Sequence, residues 1–214
     1  MAAPFPGNAA LSRRRDSPAM SRRRFGLASA VLTLAALPLG LGACTSTPPL
    51  EPFDLTALPV SVLAPKRRVV IAIDEPNAPA LVATNRVVIR RPGGELAYLA
   101  GAQWSDQLTQ LVQRRLIDSF ENAGLFQAVA ETGTASDVIL STDIRRFEVD
   151  GETGRAVVEL AVRLLNARTG RTVKGAVLSG TAPAPDKGAA PIVAALDAAF
   201  GEAVSKTLRF ATSG

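Results

Sequence analysis

The chain has 214 residues, 47% of them hydrophobic, and a mean hydropathy of +0.19, which is typical of a globular domain with an apolar leader and not of a disordered chain. It contains no histidine and one cysteine, which excludes Ser-His-Asp and Cys-His nucleophilic sites and a zinc site of His and Cys ligands. The net charge of +5 does not indicate a nucleic-acid partner, because residues 1–43 hold six basic residues and one acidic residue, whereas residues 44–214 hold 18 of each.

A signal peptide followed by a lipidated cysteine is predicted near the amino terminus. Residues 22–24 are arginines, and an uncharged apolar stretch follows from Phe25 to Leu41. That stretch is shorter than the roughly 20 residues of a membrane span, and it ends in small residues as an export signal does. The sequence Leu41-Gly42-Ala43-Cys44 is typical of bacterial lipoprotein processing. We therefore expect residues 1–43 to be a removable leader and Cys44 to carry covalent lipid, such as palmitate, that anchors the chain.

Three features of the leader concern its start, its export route and its destination. Met20 begins a more typical signal peptide, so residues 1–19 are either upstream of the true start or an unusually long n-region. The segment 21–27 resembles a twin-arginine signal and suits the general secretion route equally well. Thr45 follows the cysteine, where an aspartate typically retains a lipoprotein at the inner membrane. This resemblance to sorting signals favours the outer membrane, on its periplasmic face.

The mature chain is predicted to begin with a tether and a set of strands. Residues 44–52 are rich in proline and small polar residues, as a tether is, and residues 53–214 form the domain. β-Branched and alternating residues predict strands at Phe53–Leu58, Arg68–Asp74 and Asn85–Arg90. The second of these is apolar at consecutive positions, which predicts burial on both faces.

An amphipathic helix is predicted over Ser105–Ala123. Ser105 is the expected N-cap, Asp106 lies in the positively polarised first turn, and Gly124 is expected to end the helix. Its apolar stripe consists of Leu108, Leu111, Val112, Leu116 and Phe120. This spacing predicts a helix that packs on a sheet.

Three long strands and a second helix complete the predicted fold. The strands are Val138–Val149, Arg155–Asn166 and Arg171–Gly180. The apolar residues change phase near Arg145-Arg146, which predicts a β-bulge. The second helix begins at Pro191 and carries the stripe Ile192, Leu196, Phe200, Val204 and Leu208. We therefore predict a single α+β domain, an antiparallel-dominated mixed β-sheet with two main helices packed on it.

Carboxylates are the candidate catalytic groups that composition does not exclude. Five follow one strand and its turn: Asp137, Asp143, Glu148, Asp150 and Glu152. No motif supplies the second partner that general acid and base catalysis needs, and alternating charge is usual on a half-exposed strand. The turn at Pro92-Gly93-Gly94 lacks the lysine and the immediate helix of a phosphate loop. We therefore predict no enzyme activity, no metal site and no cofactor apart from the lipid on Cys44.

Tyr98 and Trp104, the only tyrosine and tryptophan, precede the first predicted helix. Aromatic residues with polar tips commonly anchor interfaces, and they also cap the edges of cores. We predict partner binding by Tyr98 and Trp104, with the core role as the alternative. Basic clusters at residues 66–68, 90–91 and 145–146 suit anionic headgroups or acidic partners, or else protect strand edges.

A series of short segments follows Cys44 in a fixed order. They are Phe53–Thr56, Arg86–Arg90, Glu95–Tyr98 leading to Trp104, Ser119–Gly124, Asp143–Glu148 and Leu165–Gly170. In this order they resemble the ABC-type transport auxiliary lipoprotein family over most of the mature chain, residues 53–210. One departure is Phe53, where the family often has tyrosine.

The resemblance implies a non-enzymatic outer-membrane subunit of an MCE-linked phospholipid transport system that supports envelope integrity. Its partners would be a periplasmic, substrate-binding MCE-domain protein and an inner-membrane ABC permease with the ATPase that hydrolyses ATP. The resemblance also implies docking of the MCE protein, passage of phospholipid and assembly into a homo-oligomer. Two alternatives stay open: an adaptor lipoprotein that binds another periplasmic partner, and a hydrolase that uses carboxylates such as Asp143 and Glu148.

Overall fold

The computed structural model describes residues 49–59 and 66–213. The chain divides into two compact units, Met1–Thr45 and Ser46–Gly214, and all the described residues belong to the second. The predicted leader and its Cys44 lie outside the described residues.

Eight strands and two helices make up the described part of the chain. The strands are β1 (Glu51–Phe53), β2 (Val70–Ile73), β3 (Arg86–Arg90), β4 (Leu96–Trp104), β5 (Ala128–Glu131), β6 (Val138–Asp150), β7 (Arg155–Asn166) and β8 (Thr172–Pro183). The helices are α1 (Leu108–Ala123) and α2 (Ala189–Thr212). The predicted α+β class and both helices are confirmed, whereas β4 and β5 were not predicted.

The predicted strand Phe53–Leu58 is wrong beyond Phe53. The backbone N–H of Thr56 donates to Oδ1 of Asp197 on α2 at 2.7 Å. The backbone N–H of Leu58 donates to Oγ of Ser119 on α1 at 3.0 Å. This segment therefore crosses both helices, and its alternating apolar residues do not form a strand.

Helix α1 begins at Leu108, so Ser105 is not its N-cap. The N–H of Ser105 donates to the carbonyl of Phe53 at 2.7 Å, which keeps Ser105 beside the sheet. Gln107 takes the N-cap position without a side-chain hydrogen bond to the helix. The other end is as predicted, because Gly124 adopts the left-handed conformation with φ 63°.

Strand β6 is the central strand of the sheet. β7 pairs antiparallel with β6 along its length, so β2, at Val138–Leu140, and β3, at Glu148–Asp150, share the other edge. From β3 the sheet continues to β4 and then β1, and from β2 it continues to β5. On the opposite edge of β6, β8 lies beyond β7. Both β2 and β3 run parallel to β6.

The predicted antiparallel-dominated sheet needs one correction. Of the seven pairings between described strands, four are parallel: β1 with β4, β2 with β5, β2 with β6, and β3 with β6. The antiparallel pairings of β6, β7 and β8 are the longest. The predicted mixed sheet is confirmed, but its parallel share was underestimated, because hairpins show in a sequence as turns whereas parallel neighbours come from distant segments.

The predicted bulge in β6 is confirmed by a shift of register with β7 between Ile144 and Arg146. Before the shift, Ile144 is buried in the core; after it, Phe147 and Val149 are. Because neighbouring residues of a strand point to opposite faces, the bulge turns Arg146 and Glu148 away from the core.

The two helices and the sheet share one hydrophobic core. Trp104 meets Phe147 edge to face with 5.6 Å between ring centroids, and Phe147 lies 5.9 Å from Phe200 on α2. Helix α2 approaches β8 most closely at Gly180, where an added β-carbon would lie 1.9 Å from the carbonyl oxygen of Ala199. Glycine at this position therefore permits the contact between helix and strand.

We expect Gly180→Ala to destabilise the domain by at least about 2 kcal/mol, because its methyl group would overlap backbone atoms that cannot rotate away. Urea denaturation measures the free energy of unfolding. Gly201→Ala, within α2, is the matched control: its methyl would lie 3.6 Å from Cδ2 of Leu58, an ordinary contact. Alanine is also the better helix former, by about 1 kcal/mol. Equal effects of the two substitutions would contradict the close packing at Gly180.

Candidate docking surface

The face of the sheet opposite α2 is a continuous surface across five strands, here called the outer face. The strand registers align its side chains in two neighbouring rows. One row is Leu96, Arg90, Asp150 and Arg155, and the next is Tyr98, Val88, Glu148, Val157 and Thr181. Directly paired residues point to the same face of a sheet. The predicted binding residue Tyr98 and the predicted carboxylates Glu148 and Asp150 therefore share this face.

Glu148 is the buried charge of the outer face, with 2% of the residue exposed. Arg90 binds it with both arms of its guanidinium, from Nε to Oε1 at 2.8 Å and from Nη2 to Oε2 at 3.1 Å. Arg146 donates to the same Oε1 at 2.8 Å through Nε. Two half-buried arginines on neighbouring strands thus compensate one carboxylate, which ties β3 to β6.

The neighbouring carboxylates are paired with arginine in the same way. Oδ2 of Asp150 accepts from Nη2 of Arg146 at 2.9 Å, and Oδ2 of Asp143 lies 2.8 Å from Nη2 of Arg163. The N–H of Thr153 and the guanidinium of Arg146 hold the pKa of Asp150 below its ordinary value. Asp150 is therefore an anion at neutral pH, where a general acid would need a proton to give. This arrangement is typical of structural ion pairs.

Tyr98 is a third exposed, at 36%, and its ring is covered by a cation. The guanidinium carbon of Arg86 on β3 lies 4.9 Å from the ring centroid, which is the geometry of a cation–π contact. Nε of Arg86 is buried without a hydrogen-bond partner. No carboxylate among the residues that the structure describes forms an ion pair with Arg86. Sequence reasoning singled out Tyr98 and missed Arg86, because only the strand register brings the two together.

Strand β4 has one edge that is open over half its length. Its pairing with β3 includes Ile89 opposite Ala97, next to the hairpin bond from the N–H of Arg91 to the carbonyl of Glu95. Backbone groups alternate in direction along a strand, so those of Leu96 and Tyr98 point away from β3. After Tyr98 the register with β3 shifts, and the next pairing of β4 with β3 is at Gln103. Within residues 49–59 and 66–213, no strand pairs with that edge before Ala102.

Two local features end the pairing of β1 with β4 at Ala102. The carbonyl of Phe53 accepts a hydrogen bond from the N–H of Ser105. Because backbone groups alternate in direction along a strand, Phe53 and Glu51 are the residues of β1 that face β4, and Pro49 would be the next. Proline has no N–H to continue the ladder. On β4 itself, Gly101 has φ 76°, which breaks the extended backbone. The open edge is thus a result of the sequence on both strands.

Trp104 lies on the other side of the sheet from Tyr98. It is 1% exposed and fills the core against Phe147. Its side chain offers no surface to a partner of the described domain, and the core role that sequence left as the alternative applies. Tyr98 and Trp104 thus lie on opposite sides of the sheet, because Gly101 shifts the phase of β4 between them. Partner binding by Tyr98 stays a prediction.

A separate cleft of about 210 Å³ lies at the carboxyl end of α2, with an apolar lining that includes Phe126, Val138 and Leu164. Nζ of Lys174 at its rim donates to the carbonyl of Phe210 at 2.6 Å. Burial, followed by the charge of Arg67, lowers the pKa of Lys174. Cations bound to terminal carbonyls stabilise a helix end. We therefore interpret Lys174 and Arg67 as a cap on the carboxyl end of α2.

Among the residues that the structure describes, neither helix combines the length and the hydropathy that a membrane crossing needs. The same residues contain no cluster of three or more carboxylate or thiol groups placed to bind a metal ion.

Comparison with known proteins gives concordant results. The model of the family described as "ABC-type transport auxiliary lipoprotein component" matches residues 53–206. An uncharacterized protein of Bradyrhizobium diazoefficiens is 37% identical over 134 residues, which cover 61% of this chain and 36% of that protein. The present chain therefore spans little more than a third of the length of this relative.

Two crystal structures share the fold. A protein from Xanthomonas campestris superposes with a TM-score of 0.70 at 25% identity, over 75% of this chain and 94% of that one. An uncharacterized protein superposes with a TM-score of 0.58 at 15% identity, over 75% of this chain and all of the other.

We expect Glu148→Gln to lower the free energy of unfolding by about 2 kcal/mol, because it leaves Arg90 and Arg146 facing a neutral amide. This value is below the usual cost of breaking a buried ion pair, since both arginines are about a third exposed. Asp143→Asn, at a more exposed pair, should cost less than about 1 kcal/mol. Thermal and urea unfolding measure both. A larger loss for Asp143→Asn would contradict the role given to Glu148.

Proposed function

This chain belongs to the family of ABC-type transport auxiliary lipoprotein components, and we propose that it is the non-enzymatic, lipid-anchored subunit of an MCE-linked phospholipid transport system. It acts at the periplasmic face of the outer membrane, docks the periplasmic MCE-domain protein and supports envelope integrity. An ABC permease and its ATPase in the inner membrane supply the energy. The observation that carries this proposal is the family match, which covers nearly all of the described domain.

The position of Cys44 supports an anchor that keeps the domain close to the membrane. Glu51, the first residue of β1, is seven positions after Cys44, and an extended chain of that length spans at most roughly 25 Å. The neutral charge of residues 44–214 gives the domain little general attraction to anionic lipid. Acyl chains on Cys44 therefore provide the attachment in this proposal.

The outer face supports a docking role more than a catalytic one. Its carboxylates are paired with arginine, whereas its β4 side presents an open edge, an exposed aromatic ring and a cation without a carboxylate partner among the described residues. A binding surface needs groups that are available to a partner. We propose that the open edge, the exposed ring and this cation bind the transport partner.

We expect Cys44→Ala to prevent processing and to remove the protein from the outer-membrane fraction, because the thiol is the only site that can accept the lipid in this sequence. The fold should be unchanged, since the domain begins after the tether. Sucrose-gradient fractionation with antibody detection measures the location, and circular dichroism measures the fold. Ser46→Ala is the matched control in the same tether. Normal outer-membrane fractionation of Cys44→Ala would overturn the anchor.

Affinity purification of the full lipidated chain from gently solubilised envelopes should recover an MCE-domain protein together with the permease and ATPase. Quantitative mass spectrometry, with Cys44→Ala as the reference sample, measures the enrichment. Recovery of a different periplasmic partner without these components would favour the adaptor alternative. Recovery of neither would contradict the transport proposal.

A further inference from the structure

We infer that the open edge of β4 receives an extended segment of the transport partner as an added strand, and that a carboxylate of this segment pairs with Arg86. The inference rests on the proposed function for the identity of the partner. It adds the mode of recognition: backbone hydrogen bonds to Leu96 and Tyr98, apolar side chains against the same two residues, and one acidic residue.

The backbone of β4 is prepared for strand addition. Its ladder with β3 holds Leu96–Tyr98 in an extended conformation, while the N–H and C=O groups of Leu96 and Tyr98 face outward. An extended peptide that pairs with such an edge gains main-chain hydrogen bonds without reorganising the sheet. Unprotected edges invite pairing, and proteins usually block them with charge, proline or a covering segment. In the described residues, this stretch of β4 carries none of these.

The side chains beside the edge specify what kind of segment fits. Leu96 and Tyr98 are 38% and 36% exposed, and they are two of the four large exposed hydrophobic residues in the described part of the chain. They lie on one face of the strand, two residues apart. A partner strand with apolar residues at alternate positions would cover them.

Arg86 gives the segment its charge. Its guanidinium carbon lies 4.9 Å from the centroid of the Tyr98 ring, and its buried Nε lacks a hydrogen-bond partner. Two other arginines of the sheet, by contrast, bind carboxylates: Arg90, on the same strand, binds Glu148, and Arg163 on β7 binds Asp143. A half-buried cation with an unused donor favours an incoming carboxylate, because the planar guanidinium presents several donors in a fixed arrangement.

Charge and register make the other occupants of this edge unfavourable. The tether of the same chain would place Pro49 at a position that needs an N–H. A second copy, paired through its own β4 about a two-fold axis near Tyr98, would bring two Arg86 cations together without a carboxylate to compensate them. A partner segment that contains an acidic residue meets neither obstacle.

Two substitutions test the backbone and the charge independently. Tyr98→Pro removes an N–H from the open edge, where proline is tolerated because the N–H faces solvent. Tyr98→Ala removes the ring and keeps the N–H, so it is the matched reference for this variant. Arg86→Gln removes the cation and keeps much of the side-chain length. Arg171→Gln, at an exposed arginine before β8, is the charge-matched control. The thermal unfolding midpoint of each variant shows whether the domain stays folded.

The experiment uses the full lipidated chain in intact envelopes, with a photo-reactive phenylalanine analogue at Leu96 and, as the position control, at Val177 on β8. The expected result is a cross-link from Leu96 to an MCE-domain protein, at a segment that is extended and contains Asp or Glu. Tyr98→Pro, compared with Tyr98→Ala, and Arg86→Gln, compared with the unaltered chain, should each reduce this cross-link about tenfold, while Arg171→Gln leaves it unchanged.

The other outcomes are decisive in different ways. If the MCE-domain protein is recovered with the chain but the cross-link forms from Val177, or persists in both variants, the strand-addition site is wrong and the proposed function stands. A cross-link from Leu96 to a second copy of the chain overturns the inferred occupant in favour of self-association. If no MCE-domain protein is recovered by any route, the proposed function itself fails.

Discussion

The structure depends on β6 serving three neighbouring strands at once. Along one edge it pairs first with β2 and then with β3, while β7 follows its whole opposite edge. The bulge between Ile144 and Arg146 makes this compatible with one core, because it changes which residues face inward. It places Phe147 against Trp104 and Phe200, and it brings Glu148 on the outer face within reach of the Arg90 guanidinium. The bulge therefore determines both the core packing around Phe147 and the ion pair of Glu148 on the surface.

On the outer face that results from this arrangement, most charged side chains are paired with one another within the domain. Arginine and carboxylate side chains pair across strands, which stabilises the sheet and leaves few groups free for binding. The exception lies at β4, where Gly101 and Pro49 end the pairing with β1. There an exposed ring, a cation and unpaired backbone groups coincide. This division between a stable sheet and one available edge suits the docking role that we propose for this transport auxiliary lipoprotein.

Much of the fold could be predicted from the sequence, since α1, α2, the bulge and the long strands each carry a clear apolar period. β4 could not be, because its alanines and Gly101 weaken the strand pattern and change its phase. The surface at Tyr98 was therefore only half predicted. Trp104 was assigned with it by residue type, although its position after Gly101 turns it inward. Arg86 and the open edge depend on register between distant segments, which periodicity within a segment does not contain.

Hydrogen–deuterium exchange of the full lipidated chain, alone and in complex with the transport components, tests the central claim most directly. In the free chain, the amides of Leu96 and Tyr98 should exchange faster than that of Ala97, which faces β3. In the complex, they should become protected while β8 and α2 do not change. Protection confined to β8 or to α2, with the β4 edge still exchanging freely, would contradict the account.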